Sequence, residues 1–254
     1  MAYLMGKADL HIHTSYSHDS SCTVSAALEW AASATDLDVI AVTDHDQIGG
    51  ALEAAKRAPE FGIEVLPGME ISTRDGHLLG LWLEKPVPPG LPLLETVLRI
   101  GEQGGLAVAA HPTAILAHGL RREAIRTVAM HSEASNILVG IETINTGVFY
   151  QKANRNAKAI NASLGLSETG SSDSHVFWTI GFGYTEFEGR SAADLRRALQ
   201  AHATSAGRLP EGAHTINYWA KHILNRMIRR AGWGVWAPEP QAALVLRRLA
   251  EIQA

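Results

Sequence analysis

The stretch Val39-Ile40-Ala41-Val42-Thr43-Asp44-His45-Asp46 joins four apolar residues directly to four polar ones. A short, largely β-branched run of this kind reads as a strand buried on both faces. Two carboxylates and an imidazole at its end must be compensated for leaving water. A metal ion or a solvent-lined cleft does this more economically than a structural hydrogen-bond cluster. Helical patterns lie on either side, at residues 23–34 and 49–57. A strand between helices, with polar chemistry at its C-terminal end, is the repeating unit of a mainly parallel α/β sheet.

The same alternation continues along the chain. Candidate strands span residues 8–12, 39–43, 64–71, 77–83, 106–110, 137–144 and 166–170, and candidate helices span 23–34, 49–57, 93–103, 121–130, 150–163 and 192–202. Apolar positions in the helices recur at three and four, as at Leu94, Val97 and Leu98. Seven strands in series form either an open doubly wound sheet or a closed barrel, and periodicity alone does not choose. Residues 84–92 hold four prolines and one glycine and read as a loop. The texture changes after Gly212. Residues 215–231 look helical, with Ile216, Trp219, Ile223 and Met227 beside Arg226, Arg229 and Arg230, and Trp233 and Trp236 follow. This reads as an accessory helix packing on the barrel or on another subunit, which leaves a homo-oligomer open. A membrane-surface or substrate-capping helix is the alternative. The division expected is a barrel over residues 1–211 and a C-terminal helical extension over 212–254.

Composition bounds the function. A chain of 254 residues suits one α/β barrel or two smaller domains. Hydrophobic residues at 46% and charged residues at 19% are ordinary for a soluble globular protein. The net charge of -4 argues against a broadly basic nucleic-acid-binding surface, though not against a local cleft made positive by basic residues or metal. Cys22 is the one cysteine, so no intrachain disulfide forms, and it reads as a small buried residue. The sequence shows no signal peptide and no apolar run long enough to span a membrane, so a cytoplasmic location is expected. The unusual count is twelve histidines.

Several of those histidines fall into patterns that suit metal ions. In Asp9-Leu10-His11-Ile12-His13, His11 and His13 lie two apart on a strand, face the same way and can grip one metal. Asp9 shares that face by the same alternation and is placed to orient a ligand. The loop that follows ends Ser17-His18-Asp19-Ser20 and can add another ligand. Glu70 interrupts an apolar segment, after Val65-Leu66-Pro67 and before Ile71, and a carboxylate there can bridge two cations. His77 opens an apolar strand, His111-Pro112 follows one, and Gly170-Ser171-Ser172-Asp173-Ser174-His175 sets Asp173 and His175 two apart. A lone histidine is usually structural. Here His11, His13, His45, His111, Asp173 and His175 all fall at or just past the C-terminal ends of successive strands, which converge on one mouth in a parallel sheet or barrel. His118, His131, His202, His214 and His222 fall in helical or loop positions and read as ordinary.

The ordered set D-L-H-x-H-T, T-D-H-D, G-x-E-I-S, H-L-L-G, H-P and S-D-S-H, running from Asp9 to His175, resembles the polymerase and histidinol phosphatase (PHP) superfamily of metal-dependent phosphoesterases. The six motifs are specific for the superfamily but not for a substrate. The resemblance implies a distorted seven-stranded (β/α)7 TIM-like barrel with a site for two or three divalent ions, manganese, zinc or iron. It implies His11 and His13 as ligands of a first pair, His45 and His77 as ligands of a further metal, and Glu70 as a bridge, with His111, Asp173 and His175 completing the set. Many relatives place a loop aspartate five residues after the second histidine, where this chain has His18. Others read S-x-D-S, which fits Asp19, and Asp19 is the favoured ligand.

The function expected on that basis is hydrolysis of a small-molecule phosphate monoester, of the histidinol phosphate, nucleotide or sugar phosphate class, by metal-activated hydroxide. Glu70, Asp173 and His175 are the expected catalytic residues, with His175 or a metal-bound water protonating the leaving group. Asn145, Arg155 and Asn156 are candidates for substrate contact. Three divalent ions would bring about six positive charges, and Asp19, Glu70 and Asp173 would offset about three, leaving a pocket attractive to an anion. A nuclease acting on single-stranded ends is the main alternative. Against it, the basic residues cluster at positions 121–126 and 226–230 without an interleaved aromatic platform. Metal-dependent C–N hydrolysis fits the later motifs less well, and a metal-stabilised scaffold would be expected to have lost ligands.

Overall fold

Small and β-branched side chains build nine strands, β1 (Met5–Ile12), β2 (Val39–Val42), β3 (Glu64–Ser72), β4 (His77–Leu81), β5 (Leu106–Ala109), β6 (Leu138–Asn145), β7 (Ser167–Ser171), β8 (Gly183–Glu188) and β9 (Ser205–Arg208). Between them run α1 (Val24–Ala34), α2 (Gly49–Arg57), α3 (Leu93–Glu102), α4 (Arg122–Ala129), α5 (Gln151–Asn161) and α6 (Ala192–Gln200). These come from a computed structural model that describes residues 4–147 and 150–209. The expected helical extension over 212–254 lies outside the described residues. Local signals account for several helix starts. Thr23 caps α1 by accepting the Ala26 N–H, and Ser191 and Asp194 form a reciprocal capping box on α6.

The sheet order is β7-β6-β5-β4-β3-β2-β1-β8-β9. The first seven strands form the wall of a nearly closed barrel. It shuts where Ile12, at the end of β1, pairs in parallel with Ser174, just past β7, and the His13 N–H donates to the Ser174 carbonyl at 2.8 Å. The seven expected strands are thus the barrel wall. The two extra strands form an antiparallel extension beyond β1. Only one turn of alternation marks β8, and Ser205-Ala206-Gly207-Arg208 has no apolar face, so β9 exists because its backbone pairs with β8.

Strand direction matters for the site. β1, β2 and β3 pair in parallel, as do β5, β6 and β7, but β4 is antiparallel to both its neighbours. The first residue of β4 therefore lies at the same end of the barrel as the last residues of the other wall strands. A second irregularity lies in β1. Ala8 pairs with Val39 and Ile12 with Val42, so β1 carries one residue more than β2 over this stretch. Strict alternation from Asp9 to His11 is broken there, and the shared face expected for Asp9, His11 and His13 does not hold as a simple pleat.

Alternate residues of the wall enter two apolar clusters. Ile40, Val42, Met69 and Leu78 pack outward against helix residues such as Leu28, Ala51, Val97 and Ile160. Ala8, Leu10, Val39, Ala41, Leu79, Leu81, Val108 and Phe187 fill the inside with Leu195 and Leu199 of α6. Contacts of α6 with Glu64, the first residue of β3, and with the Gly104 carbonyl before β5 place this helix over the end opposite the strands' C-termini. One end is thereby closed and dry, and the other is left for polar side chains. No described helix is long and apolar enough to cross a membrane. Phe187 is the bulkiest of the fully buried side chains described. Phe187→Ala is expected to cost about 3–5 kcal/mol in urea unfolding followed by circular dichroism, through lost burial and the cavity left behind.

Candidate metal centre

Each wall strand but β6 delivers ligand-type side chains to the open end. β1 ends in His11 and His13, and His45 follows β2. Glu70 sits late in β3, bridged to His45 through the backbone. His77 is the first residue of the reversed β4, His111 follows β5, and Asp173 and His175 follow β7. Glu70 is almost wholly buried, and five imidazoles surround it. Its oxygens lie 3.2 Å from His11 Nε2, 3.3 Å from His13 Nε2, 3.1 Å from His45 Nδ1, 2.8 Å from His77 Nδ1 and 2.9 Å from His111 Nε2. Asp173 Oδ1 lies 3.5 Å from His11 Nε2 and 3.3 Å from His13 Nε2. Asp19 Oδ2 lies 3.2 Å from His175 Nε2 and 3.5 Å from His45 Nε2.

These nine residues make four overlapping groups whose ligand atoms lie within 4.8 Å of one another: His13, Asp19, His45 and His175; His11, His13 and Glu70; His11, His111 and Asp173; and His45, Glu70 and His77. The loop position next to the cluster is held by Asp19. His18 is exposed on the rim, its ring 5.5 Å from that of His45.

The donor set fits divalent cations. Imidazole nitrogens and carboxylate oxygens, with no thiolate, suit manganese, zinc or iron. His11 Nε2, His13 Nε2, Asp19 Oδ1, His77 Nδ1 and His111 Nδ1 are buried without a hydrogen-bond partner. Leaving so many buried polar atoms bare is costly unless a cation takes their lone pairs.

The electrostatics agree. Burial opposes charge on Glu70, but the imidazoles of His11, His77 and His45 outweigh it and hold its pKa well below the ordinary glutamate value. Burial likewise opposes ionisation of Asp173, and His11, His13 and His175 more than reverse it. Desolvation works against the charged form of His45, yet Glu70 and Asp19 raise its pKa to about 9. His11, His111 and His175 are raised in the same way against their own burial. His13 goes the other way. Burial and the neighbouring His175 and His45 push it down to about 3.

Three more buried carboxylates stand behind the ligands and belong to none of the four groups. Asp9 accepts the Ser172 N–H at 3.0 Å and the Gly181 N–H at 2.8 Å, tying down the segment that carries Asp173. Asp44 accepts both the N–H and the hydroxyl of Thr14, at 2.6 and 2.8 Å, at the root of the loop that carries Asp19. Glu142, on β6, accepts from His11 and from the main chain of His111. The sequence reading passed over Glu142, although a glutamate inside an apolar strand is the same signal that singled out Glu70. Four residues that line the site, Asp46, His111, His118 and Asp173, have positive φ of 54°, 25°, 49° and 52°, a conformation L residues adopt at a cost and one that collects at functional sites.

The residues expected to touch substrate fall elsewhere. Asn145 is buried, its amide donating to Glu142 at 3.1 Å and to Asp173 at 3.2 Å, so it braces the centre from behind. Asn156 donates to Thr113, and Arg155 is exposed on α5; neither is among the residues lining the cleft. That cleft, about 650 Å³, is lined beyond the ligand cluster by His18, Asp46, Ser72, Leu116, His118 and Tyr150. His118, read above as ordinary, stands on its wall with its ring 5.7 Å from that of His77. The Tyr150 ring stacks on His111 at 5.5 Å. Only the turns after β5 and β6 bring these two residues to the mouth, and no local pattern marks them.

Comparisons with known proteins bear on the fold and the family. A family model described as PHP-associated matches residues 151–204. An uncharacterised protein of Methanocaldococcus jannaschii is 43% identical over 115 residues, 42% of this chain and 67% of its own length. A 5'-3' exoribonuclease of Haemophilus influenzae is 35% identical over 40% of this chain and 38% of its own, and a 3',5'-nucleoside bisphosphate phosphatase of Chromobacterium violaceum is 37% identical over 34% and 31%. The chain thus spans well under half of these two enzymes. In fold, it is similar to a two-domain Bacteroides vulgatus protein containing a predicted PHP-like metal-dependent phosphoesterase, with a TM-score of 0.66 at 20% identity over 81% of this chain and 65% of that one.

A pH effect follows from the raised imidazoles. Ligation needs a free nitrogen lone pair, and His45, at about 9, is protonated at neutral pH in the metal-free protein. Metal uptake at pH 7 is expected to release protons, and affinity is expected to fall as the pH is lowered. Titration calorimetry in buffers of different ionisation enthalpy reads this directly. A binding enthalpy independent of buffer would contradict it.

Proposed function

Since the chain belongs to the PHP superfamily of metal-dependent phosphoesterases, we propose that it hydrolyses a small-molecule phosphate monoester of the histidinol phosphate, nucleotide or sugar phosphate class. The observation that supports this most strongly is the convergence of nine ligand-type side chains, several with bare buried nitrogens and seven of them lining one open cleft. Two or three divalent ions are assigned to His11, His13, Asp19, His45, Glu70, His77, His111, Asp173 and His175. Glu70 belongs to two of the four groups and would be shared between ions. Bound there, divalent ions supply Lewis acidity toward phosphoryl oxygens and acidify water enough to ionise near neutral pH.

The chain's own residues shape the rest. Asp9, Asp44 and Glu142 hold the ligand segments before substrate arrives, so little reorganisation is needed at the moment of reaction. Burial and the carboxylates of Asp173, Glu70 and Glu142 raise the pKa of Tyr150, so its phenol keeps its proton at the cleft wall and can donate to a substrate oxygen. His175, also on that wall, is assigned to the Asp19 group and is the candidate for proton transfer to the leaving oxygen.

A nuclease is the second reading, favoured by the similarity to the exoribonuclease. The cleft lining argues for the smaller substrate. Among the described residues it contains no lysine or arginine, whereas a groove that follows a nucleic-acid backbone gains affinity from such side chains. The test is phosphate release by manganese-loaded protein from histidinol phosphate, 3′- and 5′-nucleotides and sugar phosphates, with single-stranded oligonucleotides in parallel. Release from a monoester that a chelator abolishes is the expected outcome. Shortening of oligonucleotides with no monoester turnover would hand the site to the nuclease reading. His45→Ala and Glu70→Ala are each expected to lower turnover by about a hundredfold or more while keeping the circular dichroism of the wild type.

A further inference from the structure

We propose that Glu142 is a positioning residue of this centre: a buried carboxylate that ligates nothing itself, holds His11 in the tautomer able to bind metal through Nε2, and pins the strained main chain of His111. The inference rests on the metal-centre reading above but not on which ester is hydrolysed.

Glu142 is fully buried between Ile141 and Thr143 on β6, the one wall strand that contributes no ligand. A carboxylate has about four lone-pair positions, and four donors meet this one. At Oε1 are His11 Nδ1, at 3.0 Å, and the Ser171 hydroxyl. At Oε2 are the His111 N–H, at 2.7 Å, and the Asn145 amide, at 3.1 Å. No position remains for a cation, in keeping with the absence of Glu142 from all four ligand groups.

The tautomer of His11 follows from acceptor chemistry. Oε1 offers only lone pairs, so the His11 nitrogen facing it must carry the proton. Nε2 is then bare. It points at Glu70 and Asp173, and it is one of the buried nitrogens without a hydrogen-bond partner. An Nδ1–H bond to a carboxylate also makes the far nitrogen a better ligand, the usual arrangement behind metal-binding histidines.

The other oxygen acts on the backbone. His111 has φ of 25°, and its N–H is held by Glu142. One side chain thereby sets ligands arriving from β1 and from the turn after β5. These meet in the group of His11, His111 and Asp173. Asn145 carries the restraint onward, because the amide nitrogen that donates to Glu142 also donates to Asp173 Oδ2 at 3.2 Å. A carboxylate that merely braced the barrel could face any donors. This one faces two ligand residues directly and a third through one amide.

Glu142→Gln tests the assignment. The amide has the same shape but must turn its NH₂ toward one of the two donor pairs and so loses it. Manganese and zinc affinity, read by chelator competition, are expected to weaken by about 10–100-fold. Nitrogen-15 spectra of the histidines in zinc-loaded protein should show His11 as Nδ1–H in the wild type and as a mixture in the variant. With metal saturating, kcat is expected to fall while KM stays within about twofold. Wild-type metal affinity together with a wild-type His11 tautomer in Glu142→Gln would overturn the proposal. Should the variant not fold, the wild-type spectrum still decides, since a proton on His11 Nε2 in the zinc-loaded protein would overturn it as well. A wild type that binds metal but releases no phosphate would sink the substrate reading alone, because affinity and tautomer are measured without substrate.

Discussion

A single buried carboxylate, Glu70, stands within 3.3 Å of nitrogens from five histidines that come from four different segments of the chain. In a dry interior an ionised carboxylate is costly unless opposite charge or a cation meets it. Five imidazoles also need partners for their ring nitrogens. Glu70 and these imidazoles meet only if β1, β3, β4 and the turns after β2 and β5 open at the same end of the barrel. The reversed β4 is how His77 meets this condition. Were β4 parallel to its neighbours, its first residue would lie at the closed end, beside α6.

Around this centre the structure places a second tier of charge. Asp9, Asp44 and Glu142 are buried and accept hydrogen bonds from the segments that carry the ligands. Burial raises the pKa of Asp9 to about 6, opposed by its hydrogen bonds from Ser172, Gly181 and His11, and burial raises Asp44 as well. Counting only Asp19, Glu70 and Asp173 against the metal charge therefore leaves out half of the buried acidic groups near the site. The surplus positive charge available to a phosphate is smaller than that count suggests. Recognition must then draw more on direct contacts at the rim, where His18, His118 and Tyr150 stand.

The order of the barrel strands, the helices between them and the ligand-type residues at the strand ends were legible along the chain. Each rests on a signal of short range: an apolar run, a three-and-four periodicity, or a polar residue where an apolar one belongs. Glu142 carried the same signal as Glu70 and went unread because nothing beside it in sequence suggested chemistry. Asn145 and Arg155 were assigned to substrate on residue type alone, and the structure buries the first behind Asp173 and leaves the second on the outer face of α5. The shared face of Asp9 and His11 failed at the extra residue in β1, since alternation holds only while neighbouring strands keep step.

What the sequence by itself determined is the kind of protein: alternating strands and helices, with histidines and carboxylates set at strand ends at spacings that suit metal ions. Those features are local, and local backbone geometry enforces them. The tertiary structure decided which ends meet. It closed the sheet through Ile12 and Ser174, reversed β4 so that His77 joins the mouth, brought Asp19 rather than His18 into the cluster of ligand-type side chains, and put Glu142 behind His11 and His111. Such choices depend on pairing between segments far apart in sequence and on the cost of leaving a buried charge or donor unmet. Only the folded chain balances these.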